Sequence, residues 1–171
     1  MRYHMKKKEV RKIVVSGMLI ALAVSLSSFS IPIGASRCFP VQHMVNVLAA
    51  VFLGPFYGVA IAFCTSLIRN LMGIGTLMAF PGSMLGAFCC GVTYRYVGKL
   101  LPTYLAEIFG TGILGGLLAY PVAVYFMGKQ AALFAYIIPF LVSTCGGTCA
   151  AAVLIGALYR THALRYLQKI S

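Results

Sequence analysis

Apolar residues form six long runs along this chain, and polar residues gather at the ends of those runs. The runs cover residues 13–31, about 40–53, 56–72, about 79–97, 104–127 and 133–159. A helix needs about 20 residues, at ~1.5 Å each, to cross a bilayer. Five runs meet or approach that length and predict transmembrane helices. The second run, roughly 14 residues and ~21 Å long, is short for a crossing.

The composition agrees with a membrane protein. Of the 171 residues, 61% are hydrophobic and 9% are charged, whereas a soluble domain is about half apolar and about a quarter charged. The net charge of +12 could indicate a nucleic-acid partner. However, the positive charges lie at the ends of the apolar runs, so no nucleic-acid partner is expected. Five of the six cysteines lie inside apolar runs and no C-x-x-C pair occurs, so we expect core residues and no metal site.

The positive charges also predict the topology. With six crossings and the N-terminus inside, eleven of the fourteen Lys and Arg residues face the cytoplasm. If the second run did not cross, the split would be seven and seven. The positive-inside rule therefore favours six crossings with both termini cytoplasmic. The sequence predicts one all-α membrane domain over residues 1–171, with a basic segment 1–12, a six-helix bundle 13–159 and a basic tail 160–171.

In this topology, hydrogen-bonding side chains from several elements share one level near the outer leaflet. Intramembrane polar groups are costly and face a cavity or one another. Their number predicts a ligand pocket that is open to the outside, and hydrogen bonding between helices without a ligand is the alternative. The candidate substrate-binding residues are Arg37, Phe39, Gln42, His43, Asn46, Asn70, Phe80, Ser83 and Tyr120.

A proline near the start of the second run predicts where the second helix begins. Pro40 suits the first turn of a helix, where its missing N–H costs nothing, so segment 33–39 is expected to be a loop folding over the cavity. Arg37 and Arg69 could mark the membrane interface by extending to it, or could bind a phosphorylated ligand. No carboxylate is expected at this level, which disfavours a strongly cationic ligand.

Glu107 is the only acid inside an apolar run. We place it at the cytoplasmic end of the fifth helix, far from the outer polar residues. A role in proton coupling is conceivable for such a residue. The expected role is instead an ion pair with Arg95 or Lys99.

Small residues form a stripe on the first helix at Gly17, Ala21 and Ser25, spaced by four. Such a stripe lets another helix approach closely, either within the bundle or from a partner protein. The chain contains no phosphate-binding G-x-x-x-x-G-K-[ST] loop and no recognisable catalytic arrangement. We therefore expect no enzymatic activity, and energy for any pumping would come from another protein.

Four stretches of the chain resemble the ThiW family. They are CFPVQHMVNVLAAVFLGPFYGVAIAF, LIRNLMGIGTLMAFPGSMLGAF, AEIFGTGILGGLLAYPVAV and IPFLVS. The resemblance covers roughly residues 10–158, and FPVQH and TLMAFPGS are its most specific parts. It implies the substrate-binding subunit (S component) of an energy-coupling factor vitamin transporter, with six helices and both termini inside.

The resemblance also implies partners and a substrate. Such subunits work with a membrane coupling protein and two cytoplasmic ATPases, so ATP would be used by partners and no cofactor would be bound by this chain. The implied substrate is hydroxyethylthiazole, a thiamine precursor. Family members contact the coupling protein through an A-x-x-x-A pattern, which here reads Gly17-x-x-x-Ala21-x-x-x-Ser25. These three residues are all small, so this departure from the pattern still allows another helix to pack closely against the stripe.

The sequence thus predicts a multi-pass protein of the cytoplasmic membrane that captures hydroxyethylthiazole from outside. The alternative is a stand-alone secondary carrier or facilitator for a small neutral heterocycle. The thiazole nitrogen, the hydroxyl and the ring face would be held, respectively, by Gln42, Asn46 or His43, by Asn70 or Ser83, and by Phe39 or Phe80.

Overall fold

Six helices build the part of the protein that the structure describes. The structure, a computed structural model, describes residues 2–28, 30–33 and 36–160, with side chains for residues 8–28, 30–32 and 37–160. Within these residues the helices are α1 Arg2–Ser25, α2 Pro40–Phe52, α3 Pro55–Leu71, α4 Ala79–Val97, α5 Leu100–Phe126 and α6 Ile137–Arg160. Most of the predicted tail, residues 161–171, lies outside the described residues.

A small β-hairpin separates α1 from α2. Its strands, β1 Ile31–Ile33 and β2 Ser36–Cys38, pair antiparallel, with Pro32 opposite Arg37. The expected loop over residues 33–39 is therefore partly a strand, and the chain is not entirely α-helical. The β-branched isoleucines favour extended backbone and Pro32 cannot continue a helix, which also explains why α1 ends before residue 31.

The observed bounds of α2, α3 and α4 lie within a residue of the predicted runs. Gly54 separates α2 from α3, with a positive φ of 87° that favours glycine, and Pro55 begins α3. In contrast, α1 begins at Arg2, well before the apolar run at residue 13, so the basic N-terminal segment is helical as well.

The short helix α2 lies at the centre of the bundle. It contacts each of the other five helices, and its residues Val45–Phe52 are all buried. The C-terminal half of α2 forms the main apolar core with Leu19 of α1 and with Ala151 and Ile155 of α6. Because protein surrounds α2, its length need not match the bilayer thickness.

Helix α5 is irregular. Two α-helical parts, Leu100–Glu107 and Gly116–Pro121, alternate with two π-helical parts, Ile108–Gly115 and Val122–Phe126. Such π segments are rare and occur frequently at functional sites. The first of them begins directly after Glu107, whose side chain is buried in the bundle.

Among the described residues, three helical segments are long and apolar enough to cross a membrane on their own. They are Lys8–Ser28, Leu100–Phe126 and Ile137–Arg160, while Pro40–Phe52 is a shorter apolar helix. The protein is therefore a helical membrane protein.

Candidate functional site: a buried polar network beneath a small cavity

A continuous set of hydrogen bonds crosses the middle of the bundle. Gln42 Nε2 donates to Ser66 Oγ (3.1 Å), and the hydroxyls of Ser66 and Ser83 are hydrogen-bonded to each other at 3.1 Å. The Ser83 carbonyl oxygen accepts from Asn46 Nδ2 at 3.1 Å. These bonds join α2, α3 and α4 at one level, so the polar residues of three helices hold one another in place.

Glu107 closes one end of this network. Its Oε1 atom accepts hydrogen bonds from Asn46 Nδ2 (3.1 Å) and Thr111 Oγ1 (3.0 Å), and it lies 3.1 Å from His43 Nδ1. The Glu107 side chain is 0% exposed. Gly86 of α4 makes room for it, since a methyl group there would lie 2.7 Å from Glu107 Oε2.

Arg69 closes the other end. Its Nη1 donates to Gln42 Oε1, and its guanidinium carbon lies 3.6 Å from the centre of the Phe39 ring, a cation–π geometry. The residue is 0% exposed, so it does not extend to the membrane interface. Its Nε and Nη2 have no hydrogen-bond partner among the described residues.

The two ends carry opposite formal charges. Arg69 and Glu107 are the fully buried charged residues of the described chain, and amide and hydroxyl groups connect them. An isolated buried charge is very unfavourable, whereas a buried cation and anion in one network offset each other. The formal charges of Arg69 and Glu107 therefore offset each other, so the network does not need a charged ligand to neutralise it.

A small cavity lies between the network and the hairpin. It has a volume of about 30 Å³, room for water but not for a ring-sized ligand, so a ligand of that size requires its walls to move apart. Phe140 is one such wall, and its ring packs on Gly82 of α4. The cavity is lined by Arg37, Phe39, Gln42, His43, Thr76, Ala79, Ser83, Pro139, Phe140 and Ser143.

Five of the nine candidate residues line this cavity: Arg37, Phe39, Gln42, His43 and Ser83. The other four have different surroundings in the structure. Asn46 lies beneath the cavity in the network. Asn70 donates to the carbonyl oxygens of Ser66 (2.8 Å) and Thr76 (3.2 Å), which fixes the turn after α3.

The two remaining aromatic candidates do not reach the cavity. Phe80 packs on Phe63 of α3, with ring centres 5.6 Å apart. Tyr120 packs against an apolar cluster that contains Met78 and Tyr136. The aromatic faces next to the cavity are instead those of Phe39 and Phe140.

The prediction that Glu107 forms an ion pair with Arg95 or Lys99 is wrong. Arg95 lines a different cavity of about 560 Å³ between α1, α4 and the α2–α3 connection, together with Lys12 and Tyr57. Lys99 is exposed. Glu107 therefore belongs to the polar network and not to the basic end of the bundle.

Helix α6 contributes a wall of the site that the sequence reasoning missed. Ser143 Oγ accepts from the Phe39 N–H at 2.8 Å, and the Cys38 thiol donates to the Pro139 carbonyl oxygen at 3.1 Å. These bonds tie the hairpin to α6. Burial raises the pKa of the Cys38 thiol, and a hydrogen bond with the Ser143 backbone offsets part of that rise. The available signal was a set of three hydroxyl residues in one apolar run, Ser143, Thr144 and Thr148.

The small-residue stripe of α1 faces outward. Gly17, Ala21 and Ser25 are all exposed, and a methyl group at Gly17 would meet nothing within 4 Å. The stripe is therefore not packed against another described part of the bundle.

The fold and site define a class: a helical membrane protein with a small polar cavity between its hairpin and a buried polar network. A family model described as thiamine-precursor transporter protein (ThiW) matches residues 13–161. The chain belongs to the ThiW family, which confirms the resemblance found in its sequence. Comparison with curated proteins and with solved structures found no match.

Proposed function

We propose that this chain is the substrate-binding subunit of an ATP-dependent energy-coupling factor transporter that captures hydroxyethylthiazole from outside the cell. The observation that carries the proposal is the cavity above a charge-balanced polar network, in a chain of the thiamine-precursor transporter family. A balanced network favours a neutral ligand with both hydrogen-bonding and apolar parts. Hydroxyethylthiazole has a ring nitrogen, a hydroxyl and a flat face.

The ligand would bind between α2, α4 and α6 under the hairpin. His43 and Ser143 offer polar groups on the wall, and Phe39 and Phe140 offer ring faces. Phe39 is itself stacked on Arg69, so its ring is held in place for a ligand. Binding requires Phe140 and the hairpin to move apart and then close, which is a lid-type motion.

The proposed topology has six crossings with both termini in the cytoplasm of a multi-pass protein. The charge distribution supports it, because the basic ends of α1 and α4, with Lys12 and Arg95, lie at the opposite end of the bundle from the hairpin. The cavity then faces outward. A coupling protein and two ATPases would supply the energy for release inside, and no enzymatic step falls to this chain.

The outward-facing stripe of α1 is the proposed contact with the coupling protein. We expect Ala21→Leu to abolish uptake of labelled hydroxyethylthiazole in cells with the full transporter, because a bulky side chain prevents close helix approach. Ligand binding by the purified variant should be unchanged. Ala150→Leu, at an exposed position on α6, is the matched control and should take up ligand normally. Normal uptake by Ala21→Leu would remove this interface from the proposal.

A proton-coupled secondary carrier is the second candidate, and one observation favours it. Glu107 contacts His43, which lines the cavity, and an acid in this position could exchange a proton as substrate moves. Uptake in cells that lack the ATPases, together with its loss in Glu107→Gln, would select the carrier. Uptake that requires the ATPases and survives Glu107→Gln would select the subunit.

A further inference from the structure

His43 stands between the cavity and Glu107. Its ring lines the cavity, and its Nδ1 lies 3.1 Å from Glu107 Oε1. The same oxygen already accepts from Asn46 Nδ2 and Thr111 Oγ1. A carboxylate oxygen carries no hydrogen and can only accept. The hydrogen of the third contact therefore belongs to His43 Nδ1.

This assignment decides what His43 presents to a ligand. In a neutral imidazole one nitrogen donates and the other accepts. With Nδ1–H directed at Glu107, Nε2 is left as an unprotonated acceptor for the cavity. The neighbouring Gln42 amide is already engaged, because it bonds Arg69 and Ser66 at its two ends.

We propose that Glu107 is a positioning residue that fixes His43 as a hydrogen-bond acceptor, so that the cavity selects a ligand with a free hydroxyl. The inference rests on the proposed function and specifies the form of its substrate. An alcohol donates to His43 Nε2. A methyl ether or an ionised phosphate ester at the same position has no hydrogen to donate, and leaves a buried acceptor without a partner.

The test is calorimetric binding to the purified full-length chain in detergent at pH 8. The ligands are hydroxyethylthiazole, its O-methyl ether and its phosphate ester. The unsubstituted chain should bind the alcohol about 10- to 100-fold more tightly than the ether or the phosphate ester, the range for one unmade hydrogen bond at a buried group. Equal affinity for alcohol and ether, or tighter binding of the phosphate, would overturn the inference.

Two variants separate positioning from charge. Glu107→Gln keeps an acceptor oxygen in place of Oε1 and should retain the preference for the alcohol. Glu107→Met has similar bulk but no oxygen acceptor and should bring the alcohol-to-ether ratio close to one. The control is Glu9→Gln at the exposed second acid, which should behave like the unsubstituted chain. A retained preference in Glu107→Met would also overturn the inference.

A measurement without ligand decides the same point independently. In the chain labelled with ¹⁵N-histidine, the His43 signals are identified by their loss in His43→Gln, since His4 and His162 remain. At pH 8 they should show the Nδ1–H tautomer in the unsubstituted chain and in Glu107→Gln, and a mixture in Glu107→Met. An Nε2–H tautomer or an imidazolium in the unsubstituted chain overturns the inference. If none of the ligands binds, the proposed function fails, and the tautomer alone decides the role of Glu107.

Discussion

Replacing Gly147 by alanine is expected to destabilise the folded chain by about 3 kcal/mol, the upper part of the range for overpacking, and to abolish ligand binding. The added methyl group would overlap the Pro40 carbonyl oxygen and would lie 2.7 Å from His43 Cβ and 3.0 Å from Met44 N. Two of these atoms are backbone, so a side-chain rotation cannot relieve the clash. The start of α2, which carries Gln42 and His43, would have to move away from α6.

The neighbouring glycine is the matched control. A methyl group at Gly146 would have Pro40 Cβ at 3.7 Å as its nearest neighbour, an ordinary contact. Thermal unfolding of the two variants in the same detergent, followed by ligand titration, makes the comparison. A Gly147→Ala protein that unfolds and binds like Gly146→Ala would contradict the close packing of α2 on α6.

Replacing Gly86 by alanine is expected to reduce ligand affinity about 100-fold or more, equivalent to ~2.7 kcal/mol, with a smaller loss of stability of about 2 kcal/mol from broken buried hydrogen bonds. The methyl group would overlap Thr111 Oγ1 and would lie 2.7 and 2.8 Å from the two Glu107 oxygens. These are side-chain ends that can shift. Their shift separates Glu107 from His43 and Asn46, which is why function should suffer more than folding.

Gly156→Ala provides the control for this variant. It is also a glycine inside a helix, but a methyl group there would meet nothing within 4 Å. It should bind ligand normally and gain slightly in stability from the better helix propensity of alanine. Calorimetry on both variants checks the expectation, which is disproved if Gly86→Ala retains the affinity of Gly156→Ala.

The helices of this fold could be predicted from the sequence because their ends carry explicit signals. Pro40 begins α2, and Gly54 and Pro55 separate it from α3. The apolar runs predicted the remaining helices to within a few residues, apart from both ends of α1. The hairpin was missed because two three-residue strands leave no recognisable alternation.

The place of Glu107 could have been calculated from helix lengths. Asn46 is six residues before the end of α2 and Glu107 is seven residues after the start of α5, and these two helix ends meet in one apolar core. At ~1.5 Å per residue, both lie about 10 Å from the same end of the bundle. The prediction that Glu107 lies far from the other polar residues failed because it placed the start of α2 at the outer membrane surface. That helix has only 13 residues, so its polar residues lie deep in the bundle, close to Glu107.

Other features of the site had no signal in the sequence. The exact pairing of Arg69 with Phe39 and Gln42, and the approach of Ser143 to the hairpin, depend on how α3 and α6 rotate about their axes. Polar residues predict that a network exists, because buried polar groups need partners. They do not choose among partners on several helices.

Calorimetric titration of the purified chain with hydroxyethylthiazole tests directly whether this chain binds a thiamine precursor. Thiamine, the pyrimidine precursor of thiamine, biotin and riboflavin serve as comparison ligands. We expect selective binding of the thiazole alcohol at micromolar affinity or tighter, about −8 kcal/mol or more favourable. Absence of thiazole binding by chain that shows cooperative thermal unfolding, or tighter binding of an unrelated vitamin, would contradict it.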